Sequence, residues 1–308
     1  MDIIKDLYTG KNVKLSTIDS YDRRLRMLNN KQPLDNFSFL YDYDVIIDKL
    51  NKYKPNTQRN FIIAIVSVLK HVPSMESMYS KYSKLMDLYN KELRTSNIRS
   101  TTQVNNWINQ DQVIEVYSSL YKIVYPLIIS KSNIMENTWD KITQLIVLSL
   151  YVLQPPRRIA DYINMYIVKK MPIVMDKSIN YLWLINQDNA VFYFNNYKTA
   201  GTYSTQSVDV STELINLINS YIKRHPIKLT NINNIPLLCS FDGSPFTRGN
   251  IITRILNKIF GLKISVSMLR NIYLTNKFAP LNIKMDETAH DMGTSTGTIQ
   301  NSYIKKDV

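Results

Sequence analysis

The segment YLWLINQDNAVFYF, residues 181–194, breaks the pattern of the chain around it. Its two halves, YLWLI (181–185) and AVFYF (190–194), are rich in aromatic and branched side chains, which suit a pleated, half-buried surface. NQDN between them supplies turn chemistry. TQSVDV (205–210) is a third candidate strand. A small antiparallel sheet within an otherwise helical chain is the expectation.

Upstream, apolar residues recur at helical spacing. Ile18, Tyr21, Leu25 and Leu28 share one face of a helix that Ser16 or Thr17 is expected to cap. A second helix is read from Tyr43 to Tyr53, ending before Pro55, because proline disfavours helix in the residue ahead of it. Thr57 then caps a helix that Pro73 ends, and residues 75–93 form a further amphipathic helix. Arg94 to Trp107 is polar and without period, as a linker is. Helices follow from Asp111 to Ile129 and from Thr138 to Leu153. The latter is apolar nearly all round, hence buried, and stops at Pro155-Pro156. Beyond the strands, helices are read from Ser211 or Thr212 to Arg224, from Thr247 to Phe260, from Ser265 to Lys277, and from Thr296 to Lys305. The chain thus reads as mostly α with a small antiparallel β-sheet. It divides into a helical domain (1–95), a linker (96–110) and a mixed α/β domain (111–308).

Composition narrows the partners. Of 308 residues, 38 are Lys or Arg against 25 Asp or Glu, a net charge of +13. Such an excess favours a polyanion such as nucleic acid, or an anionic surface. Cys239 is the one cysteine, so no intrachain disulfide can form, and His71, His225 and His290 lie far apart. No metal site is expected, and a reducing intracellular compartment fits. The longest apolar run, Thr143 to Leu153, falls short of the ~20 residues that span a bilayer, so no membrane is expected. The wealth of Asn, Lys, Ile and Tyr fits an A+T-rich genome such as that of a mobile element or large DNA virus.

Four places can carry chemistry. PPRRIADY (155–162) sets two arginines after a buried helix, and a guanidinium grips phosphate oxygens with a planar fork of donors. Asp161 lies three residues past Arg158 and can orient it, so the spacing favours Arg158 over Arg157 as the working arginine. Arg157 then reads as a backbone-phosphate contact. Lys198, in NNYKTAG between two strands, can reach a groove and donate a proton. Arg270 lies beside the apolar face set by Val266, Leu269, Ile272 and Tyr273. Tyr303 closes MGTSTGTIQNSY (292–303). A phenol is a weak nucleophile unless cations or a base activate it. Singly, each is an ordinary surface residue.

Together, in this order, they resemble the tyrosine recombinases, or phage-type integrases, along nearly the whole chain. The resemblance implies Arg158, Lys198, Arg270 and Tyr303 as the catalytic set. Residues 236–261 match the segment that leads to the second arginine's helix. The family's usual His three residues before that arginine is Ser267 here, and its usual His or Trp after the closing glycine is Thr294. His290, four residues before Thr294, shares its face if the stretch is helical and is a candidate substitute; a surface histidine is the plainer reading.

The resemblance implies a helical core-binding domain joined to a catalytic domain, with the two clamping double-stranded DNA. Tyr303 attacks a phosphodiester, and Arg158 and Arg270 neutralise its non-bridging oxygens. Lys198 protonates the leaving 5′-oxygen. A 3′-phosphotyrosyl intermediate conserves the bond energy, so no cofactor is expected. Homotetramers acting on two DNA sites are implied, wherever the target DNA resides, in host nucleus or cytoplasm. Arg23, Arg24, Lys54 and Arg59 are candidate phosphate contacts. Two other functions stay open: a type IB topoisomerase, against which the helical N-terminus speaks, and a non-catalytic DNA-binding relic, which Ser267 and Thr294 keep in play.

Overall fold

The computed structural model describes residues 3–94, 98–231 and 234–305. The chain divides into two compact units, Met1–Ile98 and Arg99–Val308. Every regular element described in the first unit is helical: α1 (Ile3–Leu7), α2 (Leu15–Leu28), α3 (Tyr43–Leu50), α4 (Pro55–Leu69) and α5 (Glu76–Arg94), with 3-10 turns before α3 and α5. α4 buries Phe61, Ile62, Ala64, Ile65, Val66, Val68 and Leu69, and its neighbours close on it through Leu25, Leu28, Leu40 and Tyr82. Two helix starts differ from the sequence reading. α2 begins at Leu15, ahead of Ser16 and Thr17, with Lys14 at its N-cap. Pro55 opens α4, where its fixed φ and missing N–H cost nothing, so Thr57 lies inside that helix.

The second unit starts with α6 (Thr101–Asn106) and α7 (Gln110–Ile129). The stretch read as linker is therefore partly helical. Ser100 and Gln103 form a reciprocal capping box on α6, and Asn109 and Gln112 form another on α7. Polar side chains that look like linker are here satisfying helix N-termini. Residues 95–97 of that stretch lie outside the described residues. α8 (Glu136–Val152) buries Trp139, Ile142 and every residue from Leu145 to Tyr151, as its all-round apolar sequence predicts. α9 (Ile159–Ile163) follows the two prolines.

The strands are β1 (Met165–Val168), β2 (Asn180–Leu184), β3 (Ala190–Phe194), β4 (Gln206–Asp209) and β5 (Ile235–Pro236). They form one sheet in the order β4-β3-β2-β1-β5. The β2–β3 hairpin and its partner β4 are antiparallel as expected, with Leu182 opposite Phe192 and Phe192 opposite Val208. The expectation of a wholly antiparallel sheet is corrected at β1, which runs parallel to β2. Residues 169–179 carry the chain back between them. The short helix α10 (Ala200–Tyr203) sits in the β3–β4 connection, and α11 (Thr212–Ile222), α12 (Gly249–Phe260), α13 (Val266–Asp291) and α14 (Thr296–Thr298) complete the unit. α14 runs into a π-helical turn, Ile299–Tyr303.

α13 is longer than its sequence suggests, because it continues through Pro280. Proline removes one hydrogen bond and leaves a carbonyl free. The carbonyl is that of Asn276, four residues earlier, and Asn276 is exposed, so water can take it. The start of α13 enters the core, through Val266, Met268, Leu269 and Ile272, and near its end Ala289 is buried again. Between these, Leu274, Phe278, Leu281 and Ile283 are exposed. No helix among the described residues is long and apolar enough to cross a membrane.

Candidate anion-binding cleft

α8 delivers Pro155 and Pro156 to the edge of the sheet, and Arg157 and Arg158 follow before α9 begins. Arg158 occupies the N-cap of α9 with extended backbone, φ −76° and ψ 157°. Gly249, at the start of α12, lets that helix press on Ile159: an added Cβ would meet Ile159 Cγ2 at 3.0 Å. α13 enters from the far side of the sequence. Ser265 caps it by accepting from the Met268 amide at 3.2 Å, and Arg270 follows in its second turn.

Arg157, Arg158, Asp161 and Arg270 meet in one cleft of about 290 Å³, whose wall also includes Tyr197, Thr199, Tyr203 and Gln206. Three guanidiniums against one carboxylate leave it a net charge of +2. The two neighbouring arginines have different jobs. Arg157 Nε donates to Asp161 Oδ2 at 3.0 Å and its Nη2 to Gln206 Oε1 at 3.1 Å. Its guanidinium lies 3.7 Å over the Phe194 ring, a favourable cation–π placement. The expected pairing of Asp161 with Arg158 is thus corrected: Arg157, expected as a backbone-phosphate contact, holds the carboxylate instead. The reason is local. Helical spacing does not apply from an extended N-cap residue, and the arginine before it folds back instead.

Arg158 and Arg270 are half-buried, and neither side chain has a hydrogen-bond acceptor among the described residues. Burial, followed by the charge of Arg158, lowers the pKa of Arg270 from its ordinary value, while Asp161 opposes this. Arg270 stays cationic all the same, since guanidinium pKa values lie so high. Two partly desolvated like charges without acceptors are costly and are relieved by a bound anion with several oxygens. Asp161 is 2% exposed, and its Oδ1 has no hydrogen-bond partner among the described residues.

An asparagine lattice supports the rim of this cleft. Asn180 is fully buried. Its Nδ2 donates to the Asp161 carbonyl at 2.7 Å and the Asn196 carbonyl at 3.1 Å, and its Oδ1 accepts from the amides of Asn195 and Asn196, both at 2.8 Å. The segment after β3 is thereby tied to α9. It then presents Tyr197, whose hydroxyl donates to the Ser204 carbonyl at 2.7 Å. Ser204 has φ 56° and ψ −160°, backbone that favours glycine and stores strain beside the cleft.

The remaining expected site residues lie elsewhere. Lys198 is exposed in the β3–β4 connection; its neighbours Tyr197 and Thr199 line the cleft, but Lys198 does not. Tyr303 is 59% exposed. Gln300 Nε2 contacts Met285 Sδ at 3.3 Å, so the turn bearing Tyr303 lies alongside residue 285, fifteen helical residues beyond Arg270. At 1.5 Å per residue, Tyr303 is on the order of 20 Å from Arg270. Ser267 is exposed at the start of α13, one turn before Arg270. The expected shared helical face of His290 and Thr294 is not present. α13 ends at Asp291, and Gly293 turns the chain with φ 62° before Thr294. The side chain of His290 is almost fully exposed and faces Asp291 at 3.5 Å.

In the first unit, Arg23 lies in a surface groove with Lys5, Arg26 and Lys31, alongside Asp19 and Asp22, and Lys54 is exposed. Arg24 instead bonds to the Ser20 carbonyl at 3.2 Å and to the Ser20 hydroxyl, and Arg59 Nε donates to Asn90 Oδ1 at 2.6 Å. Sequence reasoning missed Tyr203, Gln206 and the asparagine lattice; the adjacent Asn195-Asn196 just before Lys198 was the one available signal. Searched against models of protein families and against curated proteins, the sequence matches none.

Proposed function

We propose that this chain is a site-specific DNA recombinase or integrase that cuts and rejoins DNA through a 3′-phosphotyrosyl intermediate. The observation that carries the reading is the pair Arg158 and Arg270, unpartnered in one cleft though 112 positions apart. A scissile phosphodiester held there would have its two non-bridging oxygens neutralised as charge grows on phosphorus. The Tyr303 phenol oxygen attacks phosphorus and releases its proton to solvent. The 5′-oxygen leaves and takes a proton from Lys198. Attack by a 5′-hydroxyl of a second DNA reverses these steps and frees Tyr303. Neither ATP nor a metal enters the balance.

This reading requires Tyr303 to travel. It arrives either in its own cleft after α13 bends at Pro280, or in the cleft of a second copy. The exposed apolar residues Leu274, Phe278, Leu281 and Ile283 on α13 give the second route, and the proposed tetramer, a contact surface. A nicked DNA substrate that traps the covalent complex tests the chemistry. Mixing Arg158→Ala with Tyr303→Phe protein tests the route. Recovery of the adduct in the mixture means delivery from a second copy; no recovery, with the parent active, means delivery within one chain.

A second reading, a DNA-binding protein without catalysis, is favoured by the separation of Tyr303 from the arginines. It gives strongly salt-dependent binding and no adduct.

A further inference from the structure

The connection between the parallel strands β1 and β2 has an unusual tip. It reads KKMPIVMDK (169–177), with Ile173 101% exposed and Val174 85% exposed. Met175 is also exposed. Burying such side chains is the rule, and these stand out even among the exposed apolar residues of this chain. Lys169, Lys170 and Lys177 flank the tip and are all exposed. The one carboxylate, Asp176, is turned into its own loop, where its Oδ1 accepts from the Ser178 amide at 2.7 Å.

The tip is anchored, and the anchor leads to the arginine cleft. The Asp176 amide donates to the Tyr181 hydroxyl at 3.2 Å. Asn195 Nδ2 donates to the Ile179 carbonyl at 3.1 Å, and Asn196 Nδ2 to the Ser178 carbonyl at 2.8 Å. The same two asparagines are held by Asn180, which also bonds Asp161, and they lead directly into Tyr197 and Lys198. One lattice therefore fixes the loop base, the wall of the cleft and the lysine-bearing connection.

We infer that Ile173 and Val174 form an apolar wedge that enters the duplex beside the phosphate held in the arginine cleft, unstacking a base step and kinking the DNA. This rests on the DNA-binding reading of the cleft. Apolar side chains flanked by cations are the means by which proteins pry open base steps, and the cost of unstacking is offset by the closer wrap that a bend allows. The lysines find phosphates on either side of the opened step, and Pro172 limits the freedom of the loop. Flexible pyrimidine–purine steps are the preferred points of entry. A membrane surface is the competing occupant, and the vesicle arm of the test separates the two.

The test uses the full chain and short duplexes containing TA steps, with 2-aminopurine at successive positions and a dye pair at the ends. The parent should raise 2-aminopurine fluorescence and shorten the end-to-end distance. The variant carrying Ile173→Ser and Val174→Ser should fold with unchanged thermal stability, since both side chains are in water. It should bind roughly tenfold more weakly, with an unchanged salt slope and no fluorescence rise. Lys169→Ala with Lys170→Ala should instead lower the salt slope. Equal fluorescence and bending from parent and serine variant would overturn the wedge while leaving DNA binding intact. So would loss of binding to phosphatidylserine vesicles in the serine variant with its DNA signals unaltered. A parent that binds none of these duplexes would overturn the DNA reading itself, and the wedge with it.

Discussion

Replacing Arg157 and Arg158 one at a time should separate stability from binding, although the two are adjacent in sequence. Arg157→Ala removes the ion pair to Asp161, the bond to Gln206 and the stack on Phe194. Breaking a buried pair costs about 3–5 kcal/mol, and the cation–π contact adds about 0.5–1 kcal/mol. The Arg157 side chain is 21% exposed, so water relieves part of this, and a net loss of about 3 kcal/mol is expected. For a unit of this size that lowers Tm by roughly 10 °C. Arg158→Ala removes no protein acceptor and relieves repulsion with Arg270, so stability should change by less than about 0.5 kcal/mol. Its effect falls on phosphate: losing charge-assisted bonds worth about 1.5–3 kcal/mol weakens DNA binding roughly 10- to 100-fold. Trp107, Trp139 and Trp183 are the only tryptophans and all lie in the second unit. Urea titration followed by their fluorescence therefore reports that unit alone, and a filter-binding isotherm gives the affinity. Equal destabilisation by the two variants would refute the division of labour, as would an Arg157→Ala protein that is fully stable yet cannot bind.

Other outcomes follow from the same geometry. His225 is 8% exposed; its Nδ1 accepts from the Ile227 amide at 3.0 Å, so its Nε2 carries the proton toward the Pro236 carbonyl at 3.1 Å. Burial lowers its pKa below the ordinary 6.5, against the raising effect of the Ile227 and Pro236 carbonyl oxygens, which lie within reach of a protonated ring. The unfolded chain then binds more protons as pH falls below 6.5, so this contribution is full above that value and is lost as pH drops through the folded value. Tryptophan-detected urea midpoints should decline on acidification from about pH 7 to about pH 5, and His225→Gln should flatten the decline; a parent with a flat profile would contradict this. Ser204→Gly should raise stability by about 1 kcal/mol in the same titration by removing left-handed strain, and a loss would show that the serine side chain matters more than its backbone. Gly249→Ala should cost about 1–2 kcal/mol by pushing on Ile159, and adding Ile159→Ala should recover part of it; simple additivity would argue against the close approach.

Much of this architecture can be read before any coordinate is known, and the exceptions share a cause. The β2–β3 hairpin and the buried α8 declare themselves because side-chain period and burial agree along their whole length. The four residues of β1 follow a helix with no turn between, and its parallel pairing with β2 depends on a distant return of the chain. β5 is two residues long and carries no period at all. The continuation of α13 past Pro280 defied the local rule because solvent accepts the carbonyl that proline leaves free. At the cleft, the residue types were legible in PPRRIADY and around Arg270. Which arginine pairs with Asp161 was not, since that depends on the extended N-cap backbone at Arg158. Nor could spacing reveal that the long α13 carries Tyr303 away from the arginines.

The most direct test is to trap the protein on a nicked DNA substrate, digest it with trypsin and identify the DNA-linked peptide by mass. Residues 285–305 form one tryptic peptide in which Tyr303 is the sole tyrosine. A covalent adduct on that peptide is expected, absent from Tyr303→Phe protein. An adduct on the peptide containing Tyr203, which lines the arginine cleft, would contradict the assignment of the nucleophile. Tight DNA binding with no adduct at all, across a broad pool of sequences, would contradict strand transfer itself.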